Sequence, residues 1–231
     1  MFPFPFSFIG SAIAPDVPVE RIANAEAMSF NGTDAYMLAE TSALSGASKF
    51  SISVWVKCNN VGVGSSRSIL SATQGSTSGT VILDAFQGQD ILAHVGSTTT
   101  YNRYNGIISE GVWTHLVMVY DGSESTAGNR IKLYKNGNLQ TRTSYSGSIP
   151  TTSPSVTSST YIGTWALNAG SSALFDGEID ELAIFNTALS DSKITQIYDA
   201  TAVVDGEVKT ANLFTGGLDS SLVYWNRMGD S

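Results

Sequence analysis

The chain has 231 residues, 42% of them apolar and 14% charged, with a formal net charge of −8. That length suits one large β-sandwich or two small domains, and the composition excludes a highly charged disordered chain. The acidic balance argues against a phosphate-binding surface, which needs clustered Lys and Arg, so nucleic acid is not an expected partner.

Residues 1–25 read as an apolar, Pro-punctuated N-terminal arm. Phe2, Phe4, Phe6 and Phe8 alternate with Pro3, Pro5 and Ser7, a pattern that holds the chain extended and suits docking in a groove. Four such rings are sticky on a solvated tail. The arm is therefore expected to pack, on a neighbouring subunit by preference or else on its own sandwich. The first basic side chain is Arg21 and two prolines interrupt the apolar run, so no export signal is expected. No run approaches the ~20 apolar residues of a membrane span, and membrane insertion is not expected. Synthesis in the cytoplasm, with release only by a route such as lysis, follows as the expectation.

A second segment, 26–200, forms the body. Phe50, Ile52, Val54 and Val56 share one face of a strand, with Trp55 on the other. Cys58, the single cysteine, reads as a small buried residue at that strand's end. Gly64 to Gly79 reads as a surface loop. Ile91 to Val95 forms a strand carrying His94. Leu116 to Tyr120 is apolar on both parities, as in a central strand covered on both sides. His115 precedes it as a buried structural histidine, and neither histidine has an expected nucleophile beside it. Ile131 to Lys135 alternates and meets Asn136-Gly137, the dipeptide of a type I′ hairpin, with Leu139 to Tyr145 as the return strand. Ser146 to Ser159 is a Ser/Thr/Pro-rich loop. After the strand Ile179 to Phe185, Ser190 caps a short helix near residues 190–199, with Ile194, Ile197 and Tyr198 on one face. Residues 201–231 form a C-terminal extension, broken at Gly216-Gly217 before an apolar patch that includes Trp225.

Six blocks recur in a telling order. They are Phe30-Asn31-Gly32-Thr33-Asp34-Ala35-Tyr36, Phe50 to Lys57, Trp113 to Gly122, Ile131 to Gly137, Tyr161-Ile162-Gly163, and Phe175 to Phe185. The series, over roughly residues 28–199, resembles the laminin-G-like members of the concanavalin A-like lectin/glucanase superfamily. The resemblance implies an all-β jelly-roll sandwich of two antiparallel sheets. It implies a function only loosely, because that fold carries lectins, glycanases and scaffolds.

Glycanases of this superfamily carry Glu-x-Asp-x-Glu on one strand. Here Glu178 and Asp180 fill two places, Leu182 fills the third, and alternation sends Glu181 to the opposite face. Hydrolysis is therefore not expected. In many relatives an ion joins the first Asn/Asp-Gly turn to an Asp near the last strand. By that resemblance calcium is the implied cofactor, with Asn31, Gly32, Asp34 and Asp180 as ligands; the alternative is a plain turn with backbone hydrogen bonds. Tyr101, Arg103, Tyr104 and Trp165 are candidates either to stack on sugars or to anchor a subunit contact.

Tyr224 to Asp230 is similar to a phrase that accompanies this domain in tailed-phage structural proteins. The leading expectation is a non-catalytic virion decoration protein that attaches to a capsid or tail through Phe2, Phe4, Phe6, Phe8 and Trp225. Its partners would be other virion proteins, copies of itself and surface glycans. The alternative is a calcium-dependent carbohydrate-binding lectin module.

Overall fold

Alternation along the chain becomes a two-layer core. The computed structural model describes residues 18–60, 66–75, 77–156, 159–170, 173–204 and 207–230. In chain order the strands are β1 (Arg21–Ala23), β2 (Met28–Asn31), β3 (Met37–Glu40), β4 (Lys49–Cys58), β5 (Arg67–Thr73) and β6 (Thr80–Phe86). They continue with β7 (Asp90–Gly96), β8 (Tyr101–Tyr104), β9 (Thr114–Asp121), β10 (Ile131–Lys135), β11 (Asn138–Leu139), β12 (Ser144–Ser146) and β13 (Ser159–Ile162). The last are β14 (Asp176–Phe185), helix α1 (Asp191–Ala200), β15 (Ala202–Val204), β16 (Glu207–Ala211) and β17 (Leu222–Asn226).

One seven-stranded sheet runs β11-β10-β9-β4-β14-β17, with β2 beside the first half of β14. The other runs β12-β8-β7-β6-β5-β13-β3. All pairings are antiparallel, as expected for the jelly roll. Phe50, Ile52, Val54 and Val56 of β4 face Ile69, Leu70, Leu83 and Ile91 of the second sheet in one buried cluster. The opposite face of the first sheet is also covered. Val117, Val119, Ala183 and Phe185 pack under Ile194 and Ile197 of α1, which explains why β9 is apolar on both parities. Ser190 caps α1 by accepting from the Lys193 N–H.

The Asn136-Gly137 hairpin forms as expected. Both residues have positive φ, 50° and 76°, and Tyr134 pairs with Leu139 across the turn. The return strand differs from expectation. Asn138 and Leu139 pair with β10 and the Gln140 N–H still donates to the Leu133 carbonyl, but Ser144–Ser146 crosses to pair with β8 of the other sheet. Leu139 is exposed, so burial does not hold the return strand beyond its second residue.

The expected loop 64–79 is also corrected. Arg67–Thr73 is a strand between β6 and β13. Its Ile69-Leu70 pair is fully buried, and the Gly/Ser-rich flanks on both sides masked this short apolar centre.

The C-terminal extension is integral to the body. β17 completes the first sheet along the second half of β14, and β15 and β16 join β1 in a small three-stranded sheet. Residues 21–23, assigned to the arm, therefore pair with this chain's own β16, and the Asn24 N–H donates to its Val208 carbonyl. The expected docking residues Phe2, Phe4, Phe6 and Phe8 lie outside the described residues. No helix among the described residues is long and apolar enough to cross a membrane.

Candidate functional site

A break in register on β14 creates the site. Asp180 pairs with Trp55 and Ala183 with Ser53, so Glu181 and Leu182 together oppose Val54. Glu181 takes φ = 50°, the left-handed geometry by which a β-bulge inserts one residue. Leu182 consequently enters the core, while Asp180 and Glu181 share the outer face. Simple alternation put Glu181 opposite Asp180; the bulge corrects that expectation.

Each bulge carboxylate holds a different chain end. Asp180 Oδ2 accepts from Asn24 Nδ2 at 2.9 Å, and Oδ1 accepts from the Glu181 N–H at 2.7 Å. Glu181 accepts from Trp225 Nε1 at 2.6 Å and Arg227 Nε at 3.2 Å. Arg227 also donates to the Ala23 carbonyl. Asp230 accepts from the N–H groups of Ala25 and Glu26. Burial pushes the Asp180 carboxyl up to about 6, and the nearby Asp230 adds to this against Asn24 and Arg227. Burial likewise raises Glu181 to about 7, against the pull of Trp225 and Arg227. Trp225, expected to dock a partner, is thus committed to its own sheet, with Phe214 5.2 Å away.

Beside the bulge lies a groove of about 500 Å³. Trp55, Glu178 and Asp180 line it from β4 and β14, and Trp113 from the residue before β9. Asn24 to Ala27 form the facing wall, closed by Thr201 and Val208. Lys57 Nζ sits 2.6 Å from Glu178 Oε2 and 5.8 Å from the Trp113 ring centroid, a cation–π distance. The groove thus combines two half-buried indoles with carboxylates and an amide. Indoles cover the apolar faces of a ligand, and the oxygens accept from its hydroxyl groups. The sequence reading placed Trp55 on a strand and Trp113 at the head of a family block but did not bring them together; the signal was the period of two that puts Trp55, Lys57 and Glu178 on one outer face.

Behind the groove, Ser53 Oγ lies 2.9 Å from His115 Nε2, with both side chains buried. A hydroxyl does therefore flank this histidine, contrary to expectation. Its Nδ1 has no partner, so nothing orients the ring as a general base, and Trp55 and Tyr198 shield it at 5.1 and 6.1 Å. Burial pushes His115 down to about 3. The pair is a neutral structural contact.

The residues expected to bind sugar lie elsewhere. Tyr104 is a core residue at 1% exposure, its hydroxyl donating to the Ile131 carbonyl at 3.0 Å. Tyr101 and Arg103 are on the outer face of the second sheet, where Tyr101 packs on His94 at 5.2 Å. Arg103 binds Asp90 through Nε at 2.8 Å and through a second guanidinium nitrogen at 2.5 Å. Trp165 lies against Ser71, Thr80 and Ile82. The cross-strand row Tyr101–His94–Ile82–Ser71 separates the two ends by about 14 Å, too far for one sugar ring.

The expected calcium ligands do not converge either. Asn31 pairs with Asp176, not Asp180, and four residues of strand put Asp180 about 13 Å further along. Asn31 Oδ1 already accepts from the N–H groups of Thr33, Asp34 and Ala35, and Asn31 Nδ2 donates to Asp34. Among the described residues no group of three or more His, Cys, Asp or Glu is arranged to hold a metal ion. These residues do not fit calcium.

Comparison with solved structures supports the same architecture. The CBM40 module of the Ruminococcus gnavus IT-sialidase is 14% identical, with a TM-score of 0.59 over 75% of this chain and 97% of that one. It has also been solved bound to α2,3-sialyllactose. A native heptameric SAP-like pentraxin from Limulus polyphemus is 15% identical, with a TM-score of 0.56 over 74% and 81%. The NanB sialidase of Streptococcus pneumoniae is 14% identical, with a TM-score of 0.57, and this chain spans 28% of its length. No curated protein matches the chain. Residues 31–195 match the family model described as the concanavalin A-like lectin/glucanases superfamily, and the chain belongs to that family.

Proposed function

We propose that the protein is a non-catalytic carbohydrate-binding module and that its ligand lies in the groove between Trp55, Trp113 and Asp180. The observation that carries this reading is the pairing of two half-buried indoles with clustered hydrogen-bond acceptors in one cleft. Membership of a lectin/glucanase family supports it, as does the fold shared with a sialidase CBM40 module. The test is glycan-array screening followed by calorimetry. Trp113→Ala should weaken binding of any captured glycan at least tenfold while leaving the thermal midpoint near that of the parent. Equal affinity in both proteins would remove the groove from consideration.

Hydrolysis is a second reading, favoured by one observation: Asp180, with its raised pKa, stands two residues from Glu178 on one strand face. Against it, Glu178 is neutralised by Lys57 and Asp180 is fastened by Asn24. Released reducing ends that disappear in Glu178→Gln would establish turnover.

A virion role, with homo-oligomeric assembly, remains a proposal resting on segment 1–17 and on the exposed Phe214 and Val223 beside Trp225. It ranks behind the carbohydrate reading because Trp225 is held by its own chain. Loss of particle incorporation on deleting residues 1–17 would support it.

A further inference from the structure

The charge of the groove selects among sugars, an inference that rests on the carbohydrate reading above. Glu26, Glu178 and Asp180 line the cleft, and among the described residues no Lys or Arg lines it. Behind it stand Glu181 and Asp230. Among the described residues, the cations that contact these carboxylates are already committed: Lys57 to Glu178, and Arg227 to Glu181, Asp230 and the Ala23 carbonyl. Five carboxylates face two cations; with Glu181, raised to about 7, holding its proton at pH 6.5, an excess of about two negative charges remains. Asp180, raised to about 6 and still mostly ionised there, is left with Asn24, a neutral partner, for its outward oxygen. The chain as a whole carries −8, so the long-range field has the same sign.

A carboxylated sugar brought into this cleft meets like charge at short range in a partly desolvated site, which repels it. A sugar bearing a protonated amine meets the opposite. Its ring can lie on Trp113 or Trp55 while the ammonium approaches Asp180 and gains both the ion pair and an indole face. We propose that the groove takes a glycan carrying a free protonated amine, a 2-amino-2-deoxyhexose unit that is not acetylated, and discriminates against sialylated and other carboxylated sugars. The selectivity is thus opposite in sign to that of a sialic-acid site.

The experiment uses calorimetry on the full chain at pH 6.5 with four probes: a glucosamine tetramer, its fully N-acetylated counterpart, α2,3-sialyllactose and tetralysine. The glucosamine tetramer should bind at least tenfold tighter than the acetylated one, and half-molar salt should remove most of that margin. Sialyllactose should bind weakest of the three sugars. Glu178→Gln and Asp180→Asn should each shrink the margin, and Trp113→Ala should abolish binding of both tetramers. Because Asp180→Asn removes an acceptor for Asn24, Glu178→Gln is the variant that tests charge with the fold unperturbed. Tetralysine binding as tightly as the glucosamine tetramer would reduce the effect to general attraction and overturn the proposal. Tight, Trp113-dependent binding of sialyllactose or of the acetylated tetramer would also overturn it, while leaving the carbohydrate reading intact. If no saccharide binds, both fall together.

Discussion

Trp225 and Glu181 meet at 2.6 Å, the indole N–H donating to Oε2, and this contact ties the last strand to the bulge on β14. A hydrogen bond to a charged, buried acceptor contributes about 2 kcal/mol, and its loss leaves that acceptor underpaired. Trp225→Phe keeps most of the ring's packing against Phe214. It should lower unfolding free energy by about 2 kcal/mol in urea titrations. A change under about 0.5 kcal/mol, the scale of ordinary surface substitutions, would show that β17 is held by backbone pairing alone.

Glu181 also makes stability depend on pH. Its folded pKa, about 7, lies above the ordinary 4.5, so the native state holds the proton more tightly than the unfolded chain. Stability from this group is present at low pH and is lost as pH rises from 4.5 through 7. Asp180, raised to about 6, acts in the same direction. His94 and His115, lowered to about 4 and 3, act oppositely: their contribution is complete above 6.5 and is lost as pH falls toward those values. The parent profile is therefore flattened by compensation, and a difference between variants isolates one group. Between pH 5 and 7.5, Glu181→Gln should lose about 2 kcal/mol less than the parent. Parallel profiles would contradict the shift.

Backbone approach sets a third expectation. Gly177 has φ = 147°, and a Cβ there would fall 2.1 Å from the Lys57 carbonyl oxygen on the neighbouring strand. Backbone on both sides cannot yield without parting β4 from β14. Gly177→Ala should cost about 3 kcal/mol or more and, by displacing Glu178, should weaken glycan binding as well. A stable variant with full affinity would contradict this geometry.

Metal dependence is the fourth. Because Asn31 Oδ1 is already occupied by three N–H groups and Asp180 is remote, millimolar calcium should move the thermal midpoint by less than about 1 °C, and chelation should leave glycan affinity unchanged. A rise of several degrees, the scale expected for a ligand well above its dissociation constant, would restore the calcium reading.

Much of the fold was legible because burial writes itself into parity: β4, β9 and β10 could be placed from their apolar spacing alone. Where one residue is inserted, parity misleads. Glu181 reads as inward-opposed in any alternation scheme, and only the pairing of Asp180 with Trp55 and Ala183 with Ser53 exposes the bulge. Arg67–Thr73 was hidden for a different reason: its strongly apolar centre is only Ile69-Leu70, and its flanks have loop composition. The candidate site was less legible still. Glu178 and Asp180 were singled out as carboxylates, yet their groove is completed by Asn24 and Val208, which reach it only through the small sheet of β1, β15 and β16. Long-range assembly of that kind leaves no local pattern.

The grip of Asp230 on the amide groups of Ala25 and Glu26 presses the C-terminal turn against the segment that walls the groove. Trimming the chain after Asn226 would leave β17 whole yet cut away both Arg227 and Asp230, the clasps on that wall. Such a shortened protein should keep its two sheets and lose ligand affinity, so recognition depends on a tail that, among the described residues, contributes no lining side chain of its own.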